Sequence, residues 1–105
     1  MQSVIRCNSL EEVHLHVDEI DYEIVQLLAE RGSYVKQAAR FKSSRAEVWI
    51  PQRNERVLAK VKDLALQLGA NPEVTEQVYR ALLSAFIAAE MEEYRHLQNE
   101  FPAMT

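Results

Sequence analysis

A long run of apolar residues at heptad spacing dominates the first part of the chain. Between Ser9 and Lys42 there is no proline, and apolar residues recur at alternating steps of three and four. These residues are Leu10, Val13, Val17, Ile20, Ile24, Leu27, Tyr34, Ala38 and Phe41. The spacing predicts one amphipathic helix with a single apolar seam. Ser9 with Glu12 forms the S-x-x-E signature of a helix start.

The predicted first helix is too long for its own chain to cover. A helix of about 33 residues is about 50 Å long, whereas a compact domain of this size has a radius of gyration near 13 Å. We therefore expect self-association, either as a coiled-coil dimer or as an intertwined homodimer.

Two further helices follow from turn and capping signals. Residues 51–68 form the second predicted helix, with a proline at its first position and Gly69 as its C-terminal cap. Residues 72–98 form the third, with Asn71 as its N-cap. The chain is therefore predicted to be all-α, with a protomer of three helices and a very long first helix.

The remaining segments complete a single predicted domain over residues 1–105, with its helical core over about 9–98. Residues 1–8 show no periodicity and are expected to form a loosely held arm. In the connection between the first two helices, Trp49 and Ile50 are expected to be buried as a packing plug.

Composition excludes several classes of function. The chain has 105 residues and a formal net charge of −4, which argues against a nucleic-acid partner. The single Cys7 cannot form an internal disulfide. Because Cys7 and the three histidines (His14, His16 and His96) lack zinc-like spacing, no metal site is predicted. Without a signal-peptide pattern or a membrane span, we expect a cytoplasmic protein with no membrane partner.

Cationic residues interrupt the apolar pattern. Arg31 stands at a seam position, and Lys42 follows eleven residues later. On a continuous helix, eleven residues return to the same face within about 20°, roughly 16 Å further along the axis. Arg53 lies in the first turn of the second helix, where a cation opposes the helix dipole. Such a set suits a small dianion, because arginine grips carboxylates through two hydrogen bonds.

Glu90 is predicted on the apolar side of the third helix, since Phe86 and Tyr94 lie four residues to either side. A buried carboxylate is costly unless it is paired or protonated. The chain shows neither a nucleophile–base motif nor a glycine-rich phosphate loop. Periodicity and composition thus predict a helical homodimer with an anion pocket. If this pocket is catalytic, it would act by holding the substrate in a reactive conformation and by stabilising developing charge.

The segment IDYEIVQLLAERGSYVKQAARFK, followed by a short loop and IPQR, resembles the AroQ-type, all-helical chorismate mutases. The resemblance is greater to their isochorismate pyruvate lyase branch, in which the runs IVQ-L, YVK-A and RFK before a P-x-R recur. It implies a three-helix protomer, an intertwined homodimer with active sites shared between chains, and a cyclic dicarboxylate substrate. It also implies that the reaction needs no cofactor.

The resemblance implies a role for five residues. Arg31 corresponds to an arginine that holds a substrate carboxylate, and Arg53 to one near the other carboxylate. Lys42 corresponds to the lysine that binds a carboxylate and the ether oxygen. Glu90 stands where many members carry a glutamine that donates to the ether oxygen, and His14 where an arginine normally reaches into the partner's site.

The expected function is a pericyclic reaction of isochorismate, giving salicylate and pyruvate, accompanied by chorismate mutase activity that forms prephenate. The alternatives are a dedicated mutase of chorismate or of 4-amino-4-deoxychorismate, and a catalytically impaired helical dimer that binds anions or acts structurally. Because mild acid would charge His14 and protonate Glu90, catalysis is expected to improve there.

Overall fold

The computed structural model describes residues 4–100, with side chains as far as residue 99, as an all-α chain. The helices are α1 (Leu10–Ala39), α2 (Arg45–Val48), α3 (Pro51–Leu68) and α4 (Pro72–Glu100). No strand occurs within these residues. The predicted all-α class and the three long helices are confirmed, and α2 is a short addition in the predicted connection.

The start of α1 follows the sequence signature. The Glu12 backbone N–H donates to Ser9 Oγ at 3.1 Å. The Glu12 carboxylate in turn accepts the Asn8 N–H at 2.9 Å. The first bond satisfies one of the N–H groups that a helix start leaves unpaired, and the second joins the residue before the cap to the first turn.

The end of α1 differs from the prediction. The helix ends at Ala39, and the N–H groups of Phe41 and Lys42 donate to carbonyls three residues earlier, at 3.0 and 3.3 Å. These tighter turns carry the chain out of the helix before Lys42. The eleven-residue spacing of Arg31 and Lys42 is therefore not a spacing along one continuous helix.

The chain folds as two compact units, the first ending at Ser33 and the second beginning at Tyr34. In the second unit, α3 and α2 both pack against α4. Its buried apolar residues are Ala39, Val48, Leu58, Val61, Ala65 and Leu83. The single domain over residues 1–105 stays a prediction.

The turn between α3 and α4 has the predicted chemistry. Gly69 adopts a left-handed conformation with φ of 77°, which glycine accepts without steric cost. Asn71 Oδ1 accepts the backbone N–H groups of Glu73 at 2.9 Å and Val74 at 3.3 Å. This cap fixes the start of α4, the helix that carries Glu90.

The predicted packing plug is wrong for Trp49. Its side chain is 52% exposed, whereas Val48 is only 4% exposed and Ile50 is half-buried. Because residues 45–48 form a helical turn that packs on α4, Val48 takes the buried position and Trp49 lies beyond the turn.

The seam of α1 remains open to solvent in the isolated chain. Its members Leu10, Val13, Val17, Ile20, Ile24, Leu27 and Tyr34 are all at least 40% exposed. Within residues 4–100, no helix combines the length and hydropathy that crossing a bilayer requires.

Candidate active site

Glu90 lies inside the second unit, as its position in the sequence predicted. It is 7% exposed and is the buried charged residue among those the structure describes. Phe86 and Tyr94, one helical turn away on either side, are half-buried. The pattern on α4 therefore carries a carboxyl group into apolar surroundings.

Lys42 is the cation that meets this carboxyl group. Its Nζ lies 3.9 Å from Glu90 Oε1, and the Lys42 side chain is about three-quarters buried, at 23% exposure. The same ammonium group donates a hydrogen bond to the Glu47 carbonyl oxygen at 3.0 Å. Lys42 is thereby fixed between α2 and α4, with further N–H donor capacity for another oxygen.

The ionisation of Glu90 reflects two opposing influences. Burial raises the pKa of the Glu90 carboxyl, and the Lys42 ammonium group lowers it by less, so the net direction is upward. Desolvation penalises the charged carboxylate, and one partly exposed cation does not compensate for it. Glu90 therefore holds its proton to a higher pH than an ordinary glutamate, and a protonated carboxyl can donate a hydrogen bond.

Glu47, which accepts the hydrogen bond from Lys42 through its carbonyl oxygen, was not among the predicted site residues. Its carboxylate accepts the Ser43 N–H and, at 3.3 Å, the Ser43 hydroxyl group. The backbone hydrogen bond from Ser43 is the main reason why the pKa of Glu47 is lowered. Ser44 and Glu47 repeat the S-x-x-E spacing of Ser9 and Glu12, a signal in the sequence that could have revealed α2.

The other predicted site residues differ in their exposure to solvent. Arg53 is exposed in the first turn of α3, and its backbone N–H donates to the Ile50 carbonyl at 3.0 Å. Arg31 is half-buried and His14 is exposed, both on the part of α1 that belongs to the first unit. Of the five predicted residues, the structure places Lys42 and Glu90 in contact.

Comparison with known proteins identifies the family. Residues 14–91 match the family described as chorismate mutase type II. The chain belongs to the chorismate mutase type II family. The matched segment begins at His14 and extends one residue beyond Glu90, so it includes all five predicted site residues. The resemblance noted in the sequence is therefore confirmed.

A curated relative belongs to the lyase branch. The isochorismate pyruvate lyase of Pseudomonas aeruginosa is 32% identical over 89 residues, which cover 85% of this chain and 88% of that protein. The similarity thus covers nearly the whole length of both proteins. This chorismate mutase type II chain is accordingly an enzyme of the isomerase or lyase type, as predicted.

Proposed function

We propose that this enzyme converts isochorismate to salicylate and pyruvate and also rearranges chorismate to prephenate. The observation that carries the proposal is the contact between Lys42 and the buried Glu90 in a member of this family. The name of the Pseudomonas aeruginosa relative favours the lyase reaction. The family description favours the mutase reaction as the second activity.

Lys42 is proposed to bind the ether oxygen of the substrate. In both reactions the bond between the ring carbon and this oxygen breaks, and negative charge grows on the oxygen. An ammonium group already held by the Glu47 carbonyl can stabilise that charge without reorganising in the transition state. Lys42 is also proposed to contact a substrate carboxylate.

Glu90 is proposed to donate a hydrogen bond to the same oxygen in its protonated form. The ionised carboxylate would repel the developing charge, whereas the protonated group can donate as a glutamine amide does. Burial raises the pKa of Glu90, which favours the protonated form at mildly acidic pH.

The substrate itself undergoes the chemistry. In the lyase reaction a ring hydrogen moves to the methylene carbon of the enolpyruvyl group as the carbon–oxygen bond breaks, leaving salicylate and pyruvate. No covalent intermediate with the protein forms and no cofactor is required, so the protein contributes orientation and charge stabilisation.

Arg31 and Arg53 are proposed to bind the two substrate carboxylates, because guanidinium groups pair with carboxylates through two parallel hydrogen bonds. His14 is proposed to approach the site of a partner chain in a homodimer. The exposed apolar seam of α1 supports this assembly, since a face of this length is normally covered in a stable protein. A cytoplasmic location and a role in salicylate or aromatic amino acid formation stay predictions.

The test is to supply purified protein with chorismate and with isochorismate in separate reactions. We expect salicylate from isochorismate and slower formation of prephenate from chorismate. Lys42→Ala should lower both activities by about 100-fold or more, the effect of losing one strong transition-state donor. Lys60→Ala, which removes an exposed lysine of α3, is the matched control and should leave both unchanged.

Other outcomes would identify the alternatives. Turnover of chorismate without turnover of isochorismate would indicate a dedicated mutase, and turnover of 4-amino-4-deoxychorismate alone would indicate a mutase of that compound. A folded protein that converts none of the three would contradict the proposal and indicate a helical dimer that has lost catalysis.

A further inference from the structure

Three metal-ligating side chains meet near the start of α1, away from Lys42 and Glu90 in the sequence. One ligand atom from each of Cys7, Glu12 and His16 lies within 4.8 Å of the other two. All three residues are half-buried and belong to the first unit. The spacing of cysteine and histidine alone had predicted no metal site.

The local fold explains why these residues meet. Glu12 and His16 are one helical turn apart on α1 and therefore lie on the same face. The hydrogen bond from the Asn8 N–H to Glu12 Oε2 folds the preceding segment back against the first turn, and this segment carries Cys7. Of the predicted loosely held arm over residues 1–8, Cys7 and Asn8 contact the first turns of α1, and residues 1–3 lie outside the described residues.

The distances suit a small tetrahedral ion. Zinc bonds of about 2.0 to 2.3 Å place neighbouring ligand atoms roughly 3.5 Å apart. Ligand atoms that are already within 4.8 Å can reach this geometry by small side-chain rotations. A thiolate, an imidazole and a carboxylate are also the three ligand types that zinc uses in proteins.

The existing contacts of the three side chains are compatible with an ion. Cys7 Sγ lies 3.9 Å from the Ile5 carbonyl oxygen, a weak thiol contact that is given up when the thiol loses its proton to the ion. The hydrogen bond from Asn8 uses Glu12 Oε2, and no donor within residues 4–99 reaches Oε1. Glu19 Oε2 lies 3.6 Å from His16 Nδ1. A carboxylate beside a ligating imidazole commonly fixes its tautomer and orientation, so Glu19 can support His16 from outside the coordination sphere.

We propose that Cys7, Glu12 and His16 form a binding site for a zinc-like divalent cation. Binding replaces the thiol proton of Cys7, which passes to solvent, and leaves the fourth position of the tetrahedron to water. The ion would fasten the segment before Ser9 to the first two turns of α1. The proposal does not depend on the proposed reaction.

The test is titration of the full-length protein with zinc chloride by calorimetry, with a non-thiol reductant present. We expect one ion per chain. Cobalt chloride should give a tetrahedral spectrum with a thiolate-to-cobalt charge-transfer band. Cys7→Ser and His16→Gln should each weaken zinc binding by at least about 100-fold, since even changes around a metal's ligands commonly cost about 10- to 100-fold.

Two further variants act as controls. Glu12→Gln keeps a side-chain acceptor for the helix start but removes the charged ligand, so it should also weaken binding while circular dichroism stays unchanged. His96→Gln removes a histidine of α4 and should bind zinc as the unaltered protein does. The proposal is overturned if zinc does not bind, if Cys7→Ser binds zinc equally well, or if the cobalt complex lacks the thiolate band.

Discussion

At the residue scale, the proposed chemistry of the site depends on the environment of the Glu90 carboxyl group. The sequence predicted the apolar neighbours of Glu90 on α4. It also predicted that burial would raise the pKa of Glu90 while a nearby cation would lower it. The net direction of the pKa shift could not be predicted, because it depends on how deeply Glu90 is buried and on how closely Lys42 approaches. The structure decides in favour of burial, with the nearest Lys42 nitrogen 3.9 Å away.

The raised pKa of Glu90 predicts how stability depends on pH. At low pH the buried Glu90 carboxyl is protonated and costs the folded protein no charge burial. As pH rises through the folded-state pKa of Glu90, the carboxyl becomes charged and the free energy of unfolding falls. Glu90→Gln should therefore have little effect well below the ordinary glutamate value of 4.5 and should stabilise the protein increasingly above it. Urea unfolding at a series of pH values and one protein concentration measures this difference.

The matched control for this measurement is Glu92→Gln, on the same helix. Glu92 is exposed and pairs with Arg95 at the surface, where an ion pair contributes little. Its variant should show no comparable growth in stability with pH. A Glu90→Gln protein that is less stable than the unaltered protein at alkaline pH would contradict the account of Glu90.

At the element scale, the sequence predicted helix boundaries correctly where a capping or turn residue marks them. The starts of α3 and α4 and the Gly69 turn agree with the sequence because proline, Asn71 and glycine each impose their own backbone geometry. The end of α1 was missed because Ala38 and Phe41 continue the apolar pattern beyond Ala39, with no glycine or proline between them.

The short helix α2 was missed for a different reason. Four residues are too few to show a hydrophobic period, and the large aromatic side chain of Trp49 therefore led to the prediction that Trp49 is buried. Its S-x-x-E signal was present, yet only packing on α4 shows that Val48 is the buried residue.

The hydrogen bonds between Glu47 and Ser43 should influence catalysis through Lys42. Glu47→Ala removes the acceptor for the Ser43 N–H and hydroxyl groups and should loosen the turn that precedes α2. The Glu47 carbonyl that holds Lys42 would then be less well positioned, and kcat/KM should fall, by less than the roughly 100-fold loss expected for Lys42→Ala. Glu47→Gln, which preserves a capping acceptor, should recover most of the activity. Equal losses in both variants would exclude this positioning role.

The turn after α3 offers a test that is independent of function. Gly69→Ala meets no neighbouring atom within 4 Å, so its cost is conformational. Because the backbone is left-handed at this position, Gly69→Ala should lower the free energy of unfolding by about 1 to 2 kcal/mol, as measured by thermal or urea unfolding. Gly69→Asn should lose less, because asparagine tolerates this conformation. Equal stability of the alanine variant would contradict the assigned backbone.

At the scale of the whole molecule, the exposed seam of α1 predicts self-association. Val17→Glu would place an unpaired charge within the seam and should weaken dimerisation by at least about 100-fold, given a cost of about 3 to 5 kcal/mol for an uncompensated buried charge. Sedimentation at several concentrations measures the effect. If active sites are shared, activity per chain should fall as well.

The control for the seam is Leu15→Glu. Leu15 is 59% exposed and lies two positions from Val17, about 200° around the helix, on the side opposite the seam. This variant should associate as the unaltered chain does. A monomeric unaltered protein, or equal loss of association in both variants, would contradict the proposed interface.

The most direct test of the central claim is the pH dependence of kcat/KM for isochorismate, compared between the unaltered enzyme and Glu90→Gln. If protonated Glu90 donates to the ether oxygen, kcat/KM of the unaltered enzyme falls as pH rises through the pKa of Glu90. Glu90→Gln lacks the part of that fall that Glu90 causes and is the more active protein at neutral and alkaline pH. A flat or rising profile in the unaltered enzyme, or loss of activity at every pH in Glu90→Gln, would contradict the account.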